Sequence, residues 1–509
     1  MLHNLLDATT ERRMKLLETM IFYDHWISSS SLAKICRTSA RTINNDLQYL
    51  KMNYPEYFTI ETSKQHGVRL TPTTYFRLEV FYRHLMNETS IFQLIEGLFF
   101  HPEYSTQQWQ DYLFLSSSSF YRLMKRIEIA LKDYNIEFHH GFNCDNEVTL
   151  RYFFSNFFTE KYSYFDWPFD FDRQKVISYI EDFVQFIQKN YFNNSDYYNL
   201  DSSQYLHLAM LVGTSLVRIK EKRNVTFSSQ SFKFDWKELA DHFYEQQKDV
   251  ARGYINELTK DEYYDLVYTL FAFLMTWESQ DEYDKVDSAI THFITNFAEQ
   301  IDIPISQTEI NRLRYTLLNK YASYKVYPYD SQMLFNQARF IGQLIHEIYP
   351  NLFESLITDL DELSAETNFP WMKDLSEIIF WFIVKWPNLT KLLREKHIKV
   401  KTLVISDLGI DHQHYLMDII DHIFSDFMEV HSYEHNVFNL ESQLEKLDDN
   451  YDLIIISFDH AEKELHHAKI LNVNPILNDT DFKNITDTLQ GIRQERHAGV
   501  AELQRSRLQ

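Results

Sequence analysis

Arg41, Asn44, Asn45 and Gln48 recur at spacings of three and four in the stretch Ser39–Leu50, so a helix there puts them on one face with Thr42 beside them. Their forked donors and acceptors match the hydrogen-bonding edges that bases present in a DNA major groove. A solvated helix face more commonly carries Glu and Lys. Ala40, Ile43, Leu47 and Leu50 fall on the opposite side and form an apolar stripe for packing. Ser39 is placed to cap this helix, and Arg37 in the preceding turn adds a cation.

The preceding residues supply what such a helix needs to be held outward. Thr10 to Tyr23 read as an amphipathic helix with Met14, Leu17, Met20 and Ile21 on one side, Ser28 to Ser31 offer N-caps, and Leu32 to Cys36 make a short second helix. Arg37-Thr38 then turns the chain, which is the order of a helix-turn-helix. Beyond Pro55, the segments Tyr57–Thr62 and Val68–Leu70 flank Lys64-Gln65-His66-Gly67 and predict a two-stranded wing.

The pattern returns 77 residues later, where Ser116–Ile127 lies over Ser39–Leu50. Here the outward face carries Ser118, Ser119, Tyr121, Arg122 and Lys125, with Arg126 beside them. Helices over Ser90–Phe100 and Thr106–Phe114 are expected before it, and Ile136–Phe138 with Glu147–Leu150 are expected as its wing. Two such units in tandem are much harder to produce by chance than one.

Charge is distributed unevenly. The chain of 509 residues has a net charge of −23, yet residues 1–86 hold 11 Lys and Arg against 8 Asp and Glu. Residues 87–150 hold 4 against 9, and residues 151–509 hold the remaining 35 against 56. The acid is concentrated away from the first expected reading helix. That near-neutral head suits hydrogen bonding to bases more than a grip on phosphate, and implies help from dimerisation or shape readout.

Only 9 glycines are present, with no glycine-rich phosphate loop, and no Ser/His/Asp or Cys/His order stands out, so the chain reads as a non-enzyme without a cofactor. Cys36 and Cys144, far apart, indicate a reducing cytoplasm. The longest apolar run, Ile378–Val384, is far short of the roughly 20 residues a membrane helix needs, and reads as a core helix. Phe271, Phe273 and Trp277 read as core packing in the same way.

From Val176 to about Leu389 the sequence is a series of amphipathic helices with a faint internal repeat. Leu200–Leu208 lies over Ile305–Leu313, and Trp236–Gln246 lies near the register of Phe340–Tyr349, placing His242 near His346. Lys401–Ser406, a helix over Asp411–Phe424, then Phe427–Tyr433 and Tyr451–Ser457 predict a small α/β domain with a mostly parallel sheet. Asp411, His412, His414, Asp418, Asp421 and His422 contain pairs at helical spacing that suit either a metal or, more simply, a solvated face. The fold class is mainly α and multidomain. The expected division is 1–72 and 73–160 for the two helix-turn-helix units, 161–284 and 285–396 for two helical domains, 397–490 for the α/β domain and 491–509 for a disordered tail.

In this order the chain resembles the Mga family of bacterial transcription regulators, which includes the AtxA-like proteins. Leu32–Leu47 is similar to the family's winged helix-turn-helix, and Leu115–Ile127 to its second, Mga-type one. The helical repeats resemble phosphotransferase-system regulation domains, and the end resembles an EIIB-like domain. The resemblance implies a homodimer or higher oligomer on double-stranded DNA, tuned by histidine phosphorylation from phosphocarrier proteins. His207 is the implied phosphoacceptor of the first regulation domain; Arg312 stands at its equivalent in the second, with His346 a distant substitute. The EIIB phosphocarrier cysteine has no counterpart: Asp407-Leu408-Gly409 follows the strand, which leaves that domain an interaction or dimerisation role. The alternatives are a phosphotransfer-linked sensor, or a helical scaffold that binds proteins without reading DNA.

Overall fold

Side-chain caps set the frame of the N-terminal elements. The computed structural model describes residues 5–23, 26–63, 66–74, 76–139, 141–191, 200–227, 236–348, 350–395, 399–425, 427–435, 437–459, 465–489 and 491–492. Lys64 and Gln65 of the first wing's turn and the tail from residue 493 lie outside them, as does the side chain of His346. α1 (Ala8–Tyr23) begins at Asp7, whose carboxylate accepts the N–H groups of Thr9 and Thr10 at 2.9 and 3.0 Å. Burial raises the Asp7 carboxyl, but the hydrogen bonds from Thr10 and Thr9 outweigh it and hold the group below the usual carboxylate range.

α2 (Ser29–Ile35) is capped by Ser28, and α3 (Ala40–Asn53) by Ser39, each serine accepting a backbone N–H three residues on. β1 (Phe58–Ser63) and β2 (Gly67–Pro72) pair antiparallel with Thr59 opposite Thr71, and Ile27 bridges to Val68 at the rim. Gly67 sits at φ +99°, and a Cβ there would lie 2.4 Å from the Ile27 carbonyl oxygen, so only glycine fits this turn.

α4 (Leu78–Glu88) and α5 (Ser90–Phe100) lead into α6 (Thr106–Tyr112) and α7 (Ser117–Lys132), followed by β3 (Ile136–Phe138) and β4 (Phe142–Cys144). The second unit repeats the first bond for bond at the same offset. Ser105 caps α6 as Ser28 caps α2, and Ser116 caps α7 as Ser39 caps α3. Thr38 N–H donates to the Ala33 carbonyl at 2.9 Å, and Leu115 N–H to that of Gln110 at 2.9 Å. The residues before them, Arg37 and Phe114, both take the left-handed conformation, at φ +51° and +54°.

The second wing corrects the sequence expectation. β3 pairs with Phe142–Cys144, and Glu147–Leu150 instead opens α8 (Glu147–Lys161), capped by Asn146. Val148 to Phe158 are buried on every side of α8, so no helical stripe marks it, and its β-branched opening residues read as strand.

α9 (Arg173–Tyr191), α10 (Ser202–Lys220), α11 (Trp236–Gln247) and α12 (Lys260–Phe271) are followed by α13 (Gln280–Gln300), α14 (Gln307–Val326), α15 (Gln337–Ile348), α16 (Pro350–Thr367) and α17 (Leu375–Lys385). The internal repeat appears in their caps: Asp201 with Gln204 closes the start of α10, and Ser306 with Glu309 that of α14, 105 residues on. One buried core runs from Leu5 to Phe335 and includes Phe271, with Phe273 packed against it; Trp277 is buried and stacked on Tyr321. The run Ile378–Val384 lies in α17 with Ile378, Ile379 and Phe382 buried. No described helix is long and apolar enough to cross a membrane.

The chain divides into two units, Met1–Trp386 and Pro387–Gln509. The second holds α18 (Leu389–Glu395), β5 (Val400–Ile405), α19 (Ile410–Phe424), β6 (Met428–Ser432), α20 (Leu440–Asn450), β7 (Leu453–Ile456) and β8 (Lys469–Asn472), then a helix over residues 479–489. Its sheet is wholly parallel in the order β6-β5-β7-β8. Val404, Leu453 and Ile455 face one core with Leu416 and Ile420, while Leu403, Ile405, Ile454 and Ile456 face another with Leu440. Both faces are covered, as a parallel sheet requires.

Candidate nucleic-acid interface

α3 is held by charge as well as by apolar packing. Ile43, Leu47 and Leu50 are buried, but Ala40 is exposed, and the remaining inward position belongs to Asp46, only 2% exposed. Its carboxylate accepts from Arg12 Nε at 2.6 Å and Arg13 Nε at 2.9 Å, both on α1. The hydrogen bond to Asp46 raises Arg12, and Arg13 lies over the Tyr49 ring at 3.4 Å. These bonds fix the rotation of α3 about its axis. Arg41, Asn44, Asn45 and Gln48 are thereby left exposed, and Thr42 half-buried against the cap. Asn44 is partly engaged, since Ser29 Oγ donates to its Oδ1 at 3.0 Å. Arg37 and Ser39 are exposed at the turn before the helix.

α7 presents a more cationic face. Ser118, Tyr121, Arg122 and Lys125 are exposed, Tyr121 at 64%, and Ser119 is half-buried. Ser116 Oγ caps Ser119, and Arg122 reaches back to the Ser118 carbonyl at 3.3 Å and to Ser119 Oγ at 3.2 Å. Hydroxyls, a guanidinium and the first N–H groups of a 16-residue helix thus share one spot, a set suited to phosphate. Arg126 points elsewhere: it is half-buried and donates to the Leu5 carbonyl, so it ties α7 to the chain start instead of joining the outward face.

His207 is half-buried on α10 against α8. Ser155 Oγ donates to the His207 carbonyl at 3.1 Å and lies 3.3 Å from Nδ1. Where the hydroxyl donates to that carbonyl it accepts from Nδ1–H, and Nε2 then keeps a lone pair. Burial pushes the imidazole down to about 4, so the ring is neutral at physiological pH. A depressed folded value makes stability fall as pH drops from the ordinary 6.5 towards 4. His207→Asn is expected to lose less stability than the parent between those pH values in denaturant unfolding; equal losses would contradict a buried neutral ring.

The acidic and histidine cluster of the second unit does not assemble. Asp411, His414, Asp418, Asp421 and His422 are exposed, and His412 turns inward with Nδ1 on Ser406 Oγ and Nε2 on the Pro475 carbonyl, each at 2.7 Å. No His, Cys, Asp and Glu group among the described residues is arranged to hold a metal ion.

Comparison with known proteins bears on the two N-terminal units directly. Residues 10–66 match the helix-turn-helix domain of the M protein trans-acting positive regulator (MGA), and residues 74–158 match the Mga helix-turn-helix domain. Both N-terminal units thus match Mga-family helix-turn-helix models. A Streptococcus pneumoniae serotype 4 (strain ATCC BAA-334 / TIGR4) protein named as a trans-acting regulator is 25% identical over 487 residues, 90% of this chain and 93% of that one. The capsule synthesis positive regulators AcpB and AcpA of Bacillus anthracis are 24% and 21% identical over 179 and 226 residues, which is 34% and 44% of this chain and 36% and 45% of theirs. With these two domains and regulators as its relatives, the chain is a transcription regulator.

Two features of this regulator escaped the sequence reading. Asp46 lay in the polar register of α3, and its partners stand 33 and 34 residues away, beyond any local pattern. Phe114 is the other: laying one unit on the other at an offset of 77 matches it to Arg37, and that register is the signal the sequence carries for it.

Proposed function

We propose that this regulator binds double-stranded DNA through both N-terminal units, α3 reading base edges with Arg41, Asn44, Asn45 and Gln48, and α7 gripping backbone with Ser118, Ser119, Arg122 and Lys125. Support comes above all from the repeated geometry: two helices delivered by the same capped, left-handed turn, each with a polar face turned outward. Arg37, Ser39, Thr42 and Tyr121 flank these faces and complete the proposed contact set. A two-fold dimer matches such heads to paired half-sites, so a homodimer or higher oligomer in the cytoplasm is the assembly we assign. The test is titration of a promoter-containing duplex by the intact chain. Affinity should fall steeply as salt rises, and no affinity at low salt would overturn the reading in favour of a sensor or protein scaffold.

Regulation through residues 161–284 and 285–396 as phosphotransferase-system regulation domains is part of the same proposal, with 397–490 as an EIIB-like interaction domain. Its support is His207, a neutral ring with Nδ1 beside the Ser155 hydroxyl. Incubation with phosphocarrier proteins should place one acid-labile phosphate per chain, lost in His207→Ala; label that persists in that variant would contradict the assignment.

A further inference from the structure

Phe114 occupies a backbone position that a bulky residue rarely takes, at φ +54°, and its side chain is 95% exposed. Folding gains almost nothing from that ring. Glycine or asparagine would hold the same turn with less strain. The residue closes the turn two positions before Ser116, the cap that launches α7, and its counterpart in the first unit is the exposed cation Arg37. The same point of the repeated unit thus carries a charge in one copy and an aromatic ring in the other. Around α7 the company is mixed: Tyr121 is exposed at 64%, and Ser118, Arg122 and Lys125 are exposed with it.

We infer that Phe114 is a DNA-contacting residue, its ring packing on the apolar deoxyribose and thymine-methyl surface at the groove edge while Arg122 and Lys125 hold the phosphates. This rests on the proposal that α7 meets duplex DNA. The cations exposed on α7, the helix this turn launches, favour a polyanionic partner over an apolar protein groove, and apolar side chains do contact thymine methyl groups in this way. The contact adds affinity without neutralising charge.

The test uses the full chain, with Phe114→Gly and Phe114→Asn beside the parent on a promoter-containing duplex at two salt concentrations. Both variants are expected to melt no lower than the parent, because the left-handed strain is relieved. Both should bind the duplex about tenfold more weakly with an unchanged salt dependence, since burying an aromatic ring is worth that much and no phosphate contact is lost. Parent binding retained at full strength in both variants would overturn the inference while leaving duplex binding by the heads intact. It would equally be overturned by lower melting temperatures, which would make the ring structural. A parent with no duplex affinity would remove the underlying proposal and this inference together.

Discussion

Asp265→Ala is expected to destabilise the first unit by about 3–5 kcal/mol, because it strands a buried guanidinium. The Arg151 side chain is 0% exposed, and its Nη1 donates to Asp265 Oδ1 and, at 2.9 Å, to Thr269 Oγ1. The other Asp265 oxygen accepts the Val225 N–H at 2.7 Å. Without this carboxylate, the nearest acid left to Arg151 is Glu147 at 3.4 Å, which Arg218 already engages at 2.7 and 2.9 Å. Arg218 also donates to the Phe142 carbonyl at 3.0 Å, so the network running through α8, α10 and α12 reaches the second wing. Denaturant unfolding measures the loss. The surface pair of exposed Arg252 with half-buried Asp249 is the control, and Arg252→Ala should cost less than about 1 kcal/mol. Similar effects for both variants would mean that the buried network does not hold α8.

Changing Arg41, Asn45, Arg122 and Lys125 together to Ala is expected to weaken duplex binding by at least about a hundredfold, at roughly 1–3 kcal/mol for each base-reading contact. All four side chains are exposed and none belongs to the Asp46 or Asp265 networks, so melting should change little. The salt dependence should also flatten, because two lysine and arginine contacts on α7 no longer displace counterions. Unchanged affinity would remove both faces from the interface.

The parts of the fold legible in the sequence are those set by local rules. Ser39 and Ser116 announce the two helices because an N-cap acts within three residues. β5 and β7 are legible as short apolar runs covered on both faces. What was not legible depends on contacts distant in sequence. α8 carries no stripe because its partners surround it, and Arg126 looks like a free cation until the Leu5 carbonyl, 121 residues away, comes beside it. The outward residues of α3 could be named, but what turns them outward, Asp46 between Arg12 and Arg13, could not. β8 and α20 are short and sit in polar sequence, which is why the α/β unit was only partly foreseen.

The measurement that tests the paired heads most directly is a titration of one promoter duplex at two salt concentrations by three chains: the parent, an Arg41→Ala/Asn45→Ala variant and an Arg122→Ala/Lys125→Ala variant. Two heads acting together predict at least about a tenfold loss in each variant, with the salt dependence falling more in the second. A variant that binds like the parent, with the parent's salt dependence, would contradict the account and leave a single reading head.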